Sequence, residues 1–207
     1  MMNTSTQINH IIKSESFKKI LEKINVNYSN LKQENLIRNA VLELYNHEYE
    51  ASNTKAFAEH PRHEKNNKGE KINGRVDLSI VNKAHLEKPY KIEFKYHFTK
   101  HRNNFLNYSE SIKNEFIIRQ SNMFILIVQI VNADEKNEYD DFWGIDTKLT
   151  KYQSKTDDWQ ENLMNCYNEI TTNVENSCEL FEPIKIEIQK PYKTQYHFYI
   201  LSQKQNK

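Results

Sequence analysis

A chain of 207 residues, 28% charged and 37% hydrophobic, is long enough to bury the core of one domain with additions and too short for two full enzymatic domains. Its three glycines, Gly69, Gly74 and Gly144, stand alone, which excludes a phosphate-cradling glycine loop, a dinucleotide fingerprint and a nucleophile elbow; Cys166 and Cys178 lack the second pair that a zinc framework or disulfide scaffold needs. The net charge of +1 conceals an asymmetry: residues 55–102 carry 12 Lys/Arg against 6 Asp/Glu, whereas residues 103–182 carry 6 against 15.

The first thirty residues contain one helical stripe, Phe17, Ile20, Leu21 and Ile24, which predicts a covering helix over 14–23. From 31 to 49 the three-and-four spacing of Leu36, Ile37, Ala40, Val41, Leu44 and Tyr45 predicts a longer helix with one buried face. A short strand is expected over 53–60, a solvated hairpin loop over 61–73, a second strand over 75–82, and a turn over 82–89 ending at Pro89. Residues 90–98 alternate strictly, with Tyr90, Ile92, Phe94, Tyr96 and Phe98 on one face and Lys91, Glu93, Lys95 and His97 on the other, as a third strand would. An amphipathic helix should follow over 109–120 through Ile112, Phe116 and Ile117. The continuous apolar run 123–132 reads as a strand buried on both faces. Past Ala133 the pattern predicts an acidic loop to Asp141, a short stretch around Trp143, a helix over 157–172 and two alternating strands, 184–189 and 195–202. With no repeat or linker to separate them, residues 133–207 are expected as additions to the same single domain, whose core spans about 31–132. The polar start lacks a signal peptide's pattern, and the longest apolar run is far below the roughly 20 residues that cross a bilayer, so a cytoplasmic protein with no membrane or nucleotide-cofactor partner is expected.

The chemistry concentrates on two of these strands. On 90–98, Glu93 and Lys95 share a face about 7 Å apart. On 75–82, the apolar set Val76, Leu78 and Ile80 leaves Arg75, Asp77 and Ser79 on the other side, so antiparallel pairing can set Asp77 beside Glu93. Converging carboxylates repel, and burying them costs several kcal/mol unless a cation neutralises them, which points to a metal. Oxygen ligands without His or Cys favour Mg²⁺, for which Mn²⁺ can substitute. A neighbouring lysine could position a water, steady developing charge, or act as a base.

Asp77 followed by Glu93-Phe94-Lys95 on the next strand resembles the signature of the PD-(D/E)XK nuclease superfamily, and the expected order of elements over 31–132, about half the chain, is similar to its αβββαβ core. Val76 stands where the family carries proline. Two looser acid-x-Lys triplets, Asp134-Glu135-Lys136 and Asp146-Thr147-Lys148, fall in expected loops. The resemblance implies an α/β (α+β) restriction-endonuclease-like fold, with a mixed central sheet flanked by helices and with C-terminal helix and strand additions. It implies Asp77 and Glu93 as metal ligands, the Phe94 carbonyl as a further ligand, Lys95 as the catalytic lysine, and products with a 5′-phosphate and a 3′-hydroxyl.

Many members add an acid from the first helix. Glu34 is the first choice, Glu48 the second, and Glu59 on the first strand a further candidate, while a glutamate in a first helical turn also simply favours the helix dipole. Gln129, the polar residue within the apolar run, could reach the lysine or bond to backbone. Arg119 and Gln120 close the helix after the Glu-x-Lys strand, where related nucleases place supporting polar residues. The histidine pairs His60/His63 and His97/His101 read as solvated or phosphate-facing, and Tyr192, Tyr196, Phe198 and Tyr199 as core before base-stacking. The function expected is a Mg²⁺-dependent deoxyribonuclease of restriction, defence or mobile-element type, with the basic block 55–102 receiving DNA and a homodimer allowing both strands to be cut. The alternatives are a non-catalytic nucleic-acid-binding or scaffolding protein with the same fold, or an unrelated interaction protein using its acidic block.

Overall fold

The computed structural model describes residues 3–61, 74–98, 108, 110, 112–146, 158–173 and 178–204. Its first element was not expected. Helix α1 (Thr4–Lys13) begins where Asn3 Oδ1 accepts from the Thr6 N–H at 2.8 Å, and it buries Ile8, Ile11 and Ile12, an i, i+3, i+4 set. Ser14 ends it and caps α2 (Glu15–Asn27), its Oγ accepting from the Phe17 N–H at 3.1 Å. Helix α3 (Glu34–Glu48) buries Ile37, Ala40, Val41 and Tyr45, as its periodicity predicts.

Among the described residues, seven strands form one mixed sheet: β1 (Thr54–Pro61), β2 (Arg75–Asn82), β3 (His85–Phe98), β4 (Met123–Val131), β5 (Cys178–Leu180), β6 (Ile184–Ile188) and β7 (Thr194–Gln203). Their order is β1-β2-β3-β4-β7-β5, with β6 also on β7; β3 and β4 are parallel and every other pair antiparallel. The turn before β3 is tighter than predicted, since Asn82 already pairs with His85. Pro89 therefore lies inside β3. It is tolerated because its missing N–H would face β4, whose pairing begins only at Ile92↔Met123. The hairpin loop expected over 61–73 lies, from residue 62 on, outside the described residues, as do His63 and His101.

Helices α1–α3 pack on one face of the sheet against Leu78, Ile80, Ile92, Phe94, Tyr96 and, from β4, Met123, Ile125 and Ile127. The other face gathers Phe124, Leu126 and Val128 with Phe116, Trp159, Leu163 and Tyr167. Strand β4 is thus buried on both sides, as its unbroken apolar run demands. The helix expected over 109–120 includes a π-helical turn, Lys113–Ile118. At the β1 edge, Asn46 of α3 acts as a substitute strand: its Oδ1 accepts from Ala56 N at 2.8 Å and its Nδ2 donates to Ala56 O at 3.1 Å.

The acidic loop expected after Ala133 is instead a helix, α4 (Ala133–Phe142). Asn132 Oδ1 accepts from the Asp134 and Glu135 N–H groups, and these two acids occupy the first turn, where the helix dipole favours negative charge. The buried Lys136 and Asp140, i and i+4, form an ion pair against Tyr192. Helix α5 (Asp158–Asn173) covers the second face, with Tyr167 stacked on Tyr199. Short β5 was not expected, but β6 and β7 lie close to their predicted bounds and continue the same sheet beside β4. Among the described residues no helix is long and apolar enough to cross a membrane.

Candidate active site

Strands β2 and β3 pair through Ile80↔Tyr90, Ser79↔Lys91 and Leu78↔Ile92, and there the ladder stops. One step further along the same register, Asp77 and Glu93 are the next facing positions. Instead of another strand-to-strand bond, Asp77 Oδ2 accepts from the Phe94 N–H at 2.8 Å. Two residues on, Glu34 Oε2 accepts from the Tyr96 N–H at 2.6 Å. The N–H and C=O of one strand residue point the same way, so the Phe94 carbonyl opens on the same edge between these two bonds. Two carboxylates from different elements are thereby anchored along one edge of β3 by charge-assisted hydrogen bonds, each about 1.5–3 kcal/mol.

The strand period sets the rest. Phe94 and Tyr96 enter the core under α1–α3, which sends Glu93 and Lys95 to the opposite face, beside Phe124 and Leu126 of β4. Glu93 is fully buried and Lys95 half-buried. Arg119, just after the π-helical turn, brings Nη1 to 3.8 Å from Glu93 Oε2, and its Nη2 donates to the Arg75 carbonyl at 2.9 Å. Lys32 Nζ lies 3.1 Å from Glu34 Oε2.

Of the three glutamates expected to compete for the third acidic place, Glu34 alone is placed at β3. Glu48 lies at the far end of α3, 3.5 Å from His10 Nε2. Glu59 takes a left-handed φ of 52° and pairs with Arg38 of α3. The expectation that Gln129 could reach the lysine is corrected by its face: it belongs to the α1–α3 side of β4, away from Lys95. Its amide is shared between two hydroxyls, Oε1 accepting from Tyr96 at 2.6 Å and Nε2 donating to Tyr196 at 3.1 Å. The Tyr196 oxygen stands 2.6 Å from Gln33 Oε1 and 2.8 Å from Asn25 Oδ1, tying β7 to α2 and to the residue preceding Glu34. Burial raises the Tyr96 and Tyr196 hydroxyl pKa values far above the usual tyrosine range, so both remain neutral partners.

Tyr192, Tyr196, Phe198 and Tyr199 are all buried and serve packing. His97 sits edge-on to the Tyr108 ring and His60 beside the Phe57 ring. The looser triplet ending at Lys136 is accounted for by the ion pair with Asp140.

Among the described residues, no group of three or more His, Cys, Asp or Glu side chains is arranged to hold a metal ion. Asp77 and Glu93 nevertheless offer hard oxygen donors on adjoining strands, and the bond from Phe94 N leaves a carboxylate with further acceptor sites. Such a pair fits Mg²⁺, which takes one or two carboxylates and keeps water or phosphate in its other positions. No family model, curated protein or solved structure matches this chain.

Proposed function

We propose that the protein is a metal-dependent nuclease of PD-(D/E)XK type, hydrolysing DNA phosphodiester bonds in restriction or another bacterial defence or mobile-element role. The observation that carries this reading is the placement of four charged side chains around one stretch of β3. Glu93 is buried beside the half-buried Lys95, and Asp77 and Glu34 are bonded to the backbone on either side of Lys95, at Phe94 and Tyr96. A sheet that only packed would place apolar groups here, because a buried carboxylate costs several kcal/mol without compensation. The order α3-β1-β2-β3-helical turn-β4 supports the same reading.

In this scheme Asp77 and Glu93 hold Mg²⁺ or Mn²⁺, with the Phe94 carbonyl on the same edge. The ion, when bound, supplies Lewis-acid stabilisation of the phosphate and lowers the pKa of a coordinated water. Lys95 directs its ammonium group to the attacking water or to the charge developing on the phosphate. Glu34, held on Tyr96 N, orients water at the rim of the site. The basic block 55–102 receives the DNA backbone, and a homodimer brings two sites to the two strands.

The second reading is a non-catalytic nucleic-acid-binding or scaffolding protein, and Arg119 favours it, since its guanidinium already offsets the Glu93 charge. Incubation with long mixed-sequence duplex DNA, with Mg²⁺ or with chelator, separates the two. The nuclease cuts only with metal, and Asp77→Asn, Glu93→Ala and Lys95→Ala each lower the rate on the order of a hundredfold or more while the chain stays folded. Parallel arms with single-stranded DNA and RNA define the substrate. No cleavage of any of these with Mg²⁺ or Mn²⁺ rejects the nuclease.

A further inference from the structure

We propose that Arg119 is a built-in competitor of the metal: it neutralises Glu93 in the metal-free protein, yields that carboxylate when a divalent cation arrives, and so sets the cation concentration at which the site fills. The inference rests on the nuclease reading above.

The backbone directs Arg119 to this position. Arg119 N donates to Asn114 O and Ser121 N to Phe116 O, each at 3.1 Å and each reaching five residues back. The wider π turn rotates the next residues relative to an α-helix. Gln120 then takes a left-handed φ of 52°, turning the chain toward β4 and leaving the Arg119 side chain directed across β3 to β2. Its guanidinium spans the two acid-bearing strands, with Nη2 on the Arg75 carbonyl two residues before Asp77 and Nη1 toward Glu93. Gly74 makes room for it: a Cβ there would stand 3.3 Å from Arg119 Nη2.

The geometry is that of an exchangeable ion pair. Glu93 is buried and must be neutralised in every state, but the 3.8 Å approach is longer than a hydrogen bond. Arg119 is 29% exposed in its side chain, so the guanidinium can withdraw into water at little desolvation cost, whereas Glu93, at 1%, cannot. A divalent ion at Glu93 would repel the guanidinium at this range, so the two cations exclude one another.

The test is Mn²⁺ binding by the full chain without DNA, measured by calorimetry and by the electron paramagnetic resonance of free Mn²⁺. Arg119→Gln should bind Mn²⁺ more tightly by on the order of tenfold, a 1.4 kcal/mol change, while Arg119→Lys, which keeps the charge, should stay near the wild type. With chelator, Arg119→Gln should unfold at lower temperature than the wild type and regain stability with Mn²⁺; adding Glu93→Gln to it should remove the deficit. In the wild-type chain itself, the Arg119 side-chain N–H resonance should move on titration with Mg²⁺, a readout that needs no variant to fold. If Arg119→Gln binds Mn²⁺ no tighter than a wild type that does bind it, or if the Arg119 resonance is unmoved by bound Mg²⁺, the exchange is refuted and the nuclease reading stands. If neither protein binds Mn²⁺ or Mg²⁺, both fall.

Discussion

The buried pair in α4 gives a quantitative test of the fold. Lys136 and Asp140 are 1% and 2% exposed, and the ammonium also donates to Asn30 Oδ1 at 2.7 Å and lies 5.2 Å from the centre of the Tyr192 ring. Asp140→Ala leaves Lys136 buried with one neutral acceptor and an aromatic face, so the loss should be about 3–5 kcal/mol. Lys136→Met removes the cation and leaves Asp140 in the same position, with a similar loss. The double variant Lys136→Met/Asp140→Ala buries no charge and retains most of the Lys136 volume, so its cost should be well below the sum of the singles, with a coupling of at least about 2 kcal/mol. Urea unfolding followed by circular dichroism reads all four proteins. Because the pair is shielded from solvent, the differences should persist at about 1 M salt, where the Debye length is roughly 3 Å. Single variants that lose less than about 1 kcal/mol, or whose loss disappears in salt, would show an ordinary surface pair and refute the docking of α4.

Two further perturbations address the sheet and its buried hydroxyls. Asn46→Ala should cost about 1–3 kcal/mol, since it strips both partners from Ala56 at the β1 edge, and sedimentation should show stronger self-association through the bared edge. Burial raises Tyr96, Tyr167 and Tyr196 well above the ordinary tyrosine value of 10.0 and Tyr199 to about 12. Their contribution is intact below pH 10, where both states are protonated, and falls as rising pH deprotonates only the unfolded chain, by about 1.4 kcal/mol per pH unit for each. Tyrosinate absorbance from Tyr96, Tyr167 and Tyr196 should therefore emerge together with loss of secondary structure; their emergence in a still-folded protein would contradict their burial.

Where a pattern is local, it could be read without coordinates. The alternation on 90–98 assigns Glu93 and Lys95 to one face and Phe94 to the other, and the apolar run 123–132 can only be a strand enclosed on both sides. Helix α4 escaped because its stability is not periodic. It carries little apolar surface and relies on the Asn132 cap and on one lysine whose partners, Asn30 and Tyr192, are remote in sequence. Helix α1 escaped differently: the Asn3 cap and the Ile8, Ile11, Ile12 set were present but short.

The candidate site divides along the same line. The residue types at 77, 93 and 95, and the face each occupies, follow from the order of residues and the two-residue period of a strand. Which glutamate joins them does not, because Glu34, Glu48 and Glu59 differ in where α3 and β1 settle over the sheet, and only packing brings Glu34 to Tyr96 N while giving Glu48 to His10 and Glu59 to Arg38. The face of Gln129 is set by strand parity, but its two tyrosine partners are 33 and 67 residues away. The approach of Arg119 to Glu93 depends on a π turn and a left-handed Gln120, backbone states that no periodicity encodes. Covalent neighbours determine period and face; distances between side chains on separate elements exist only once the core has closed.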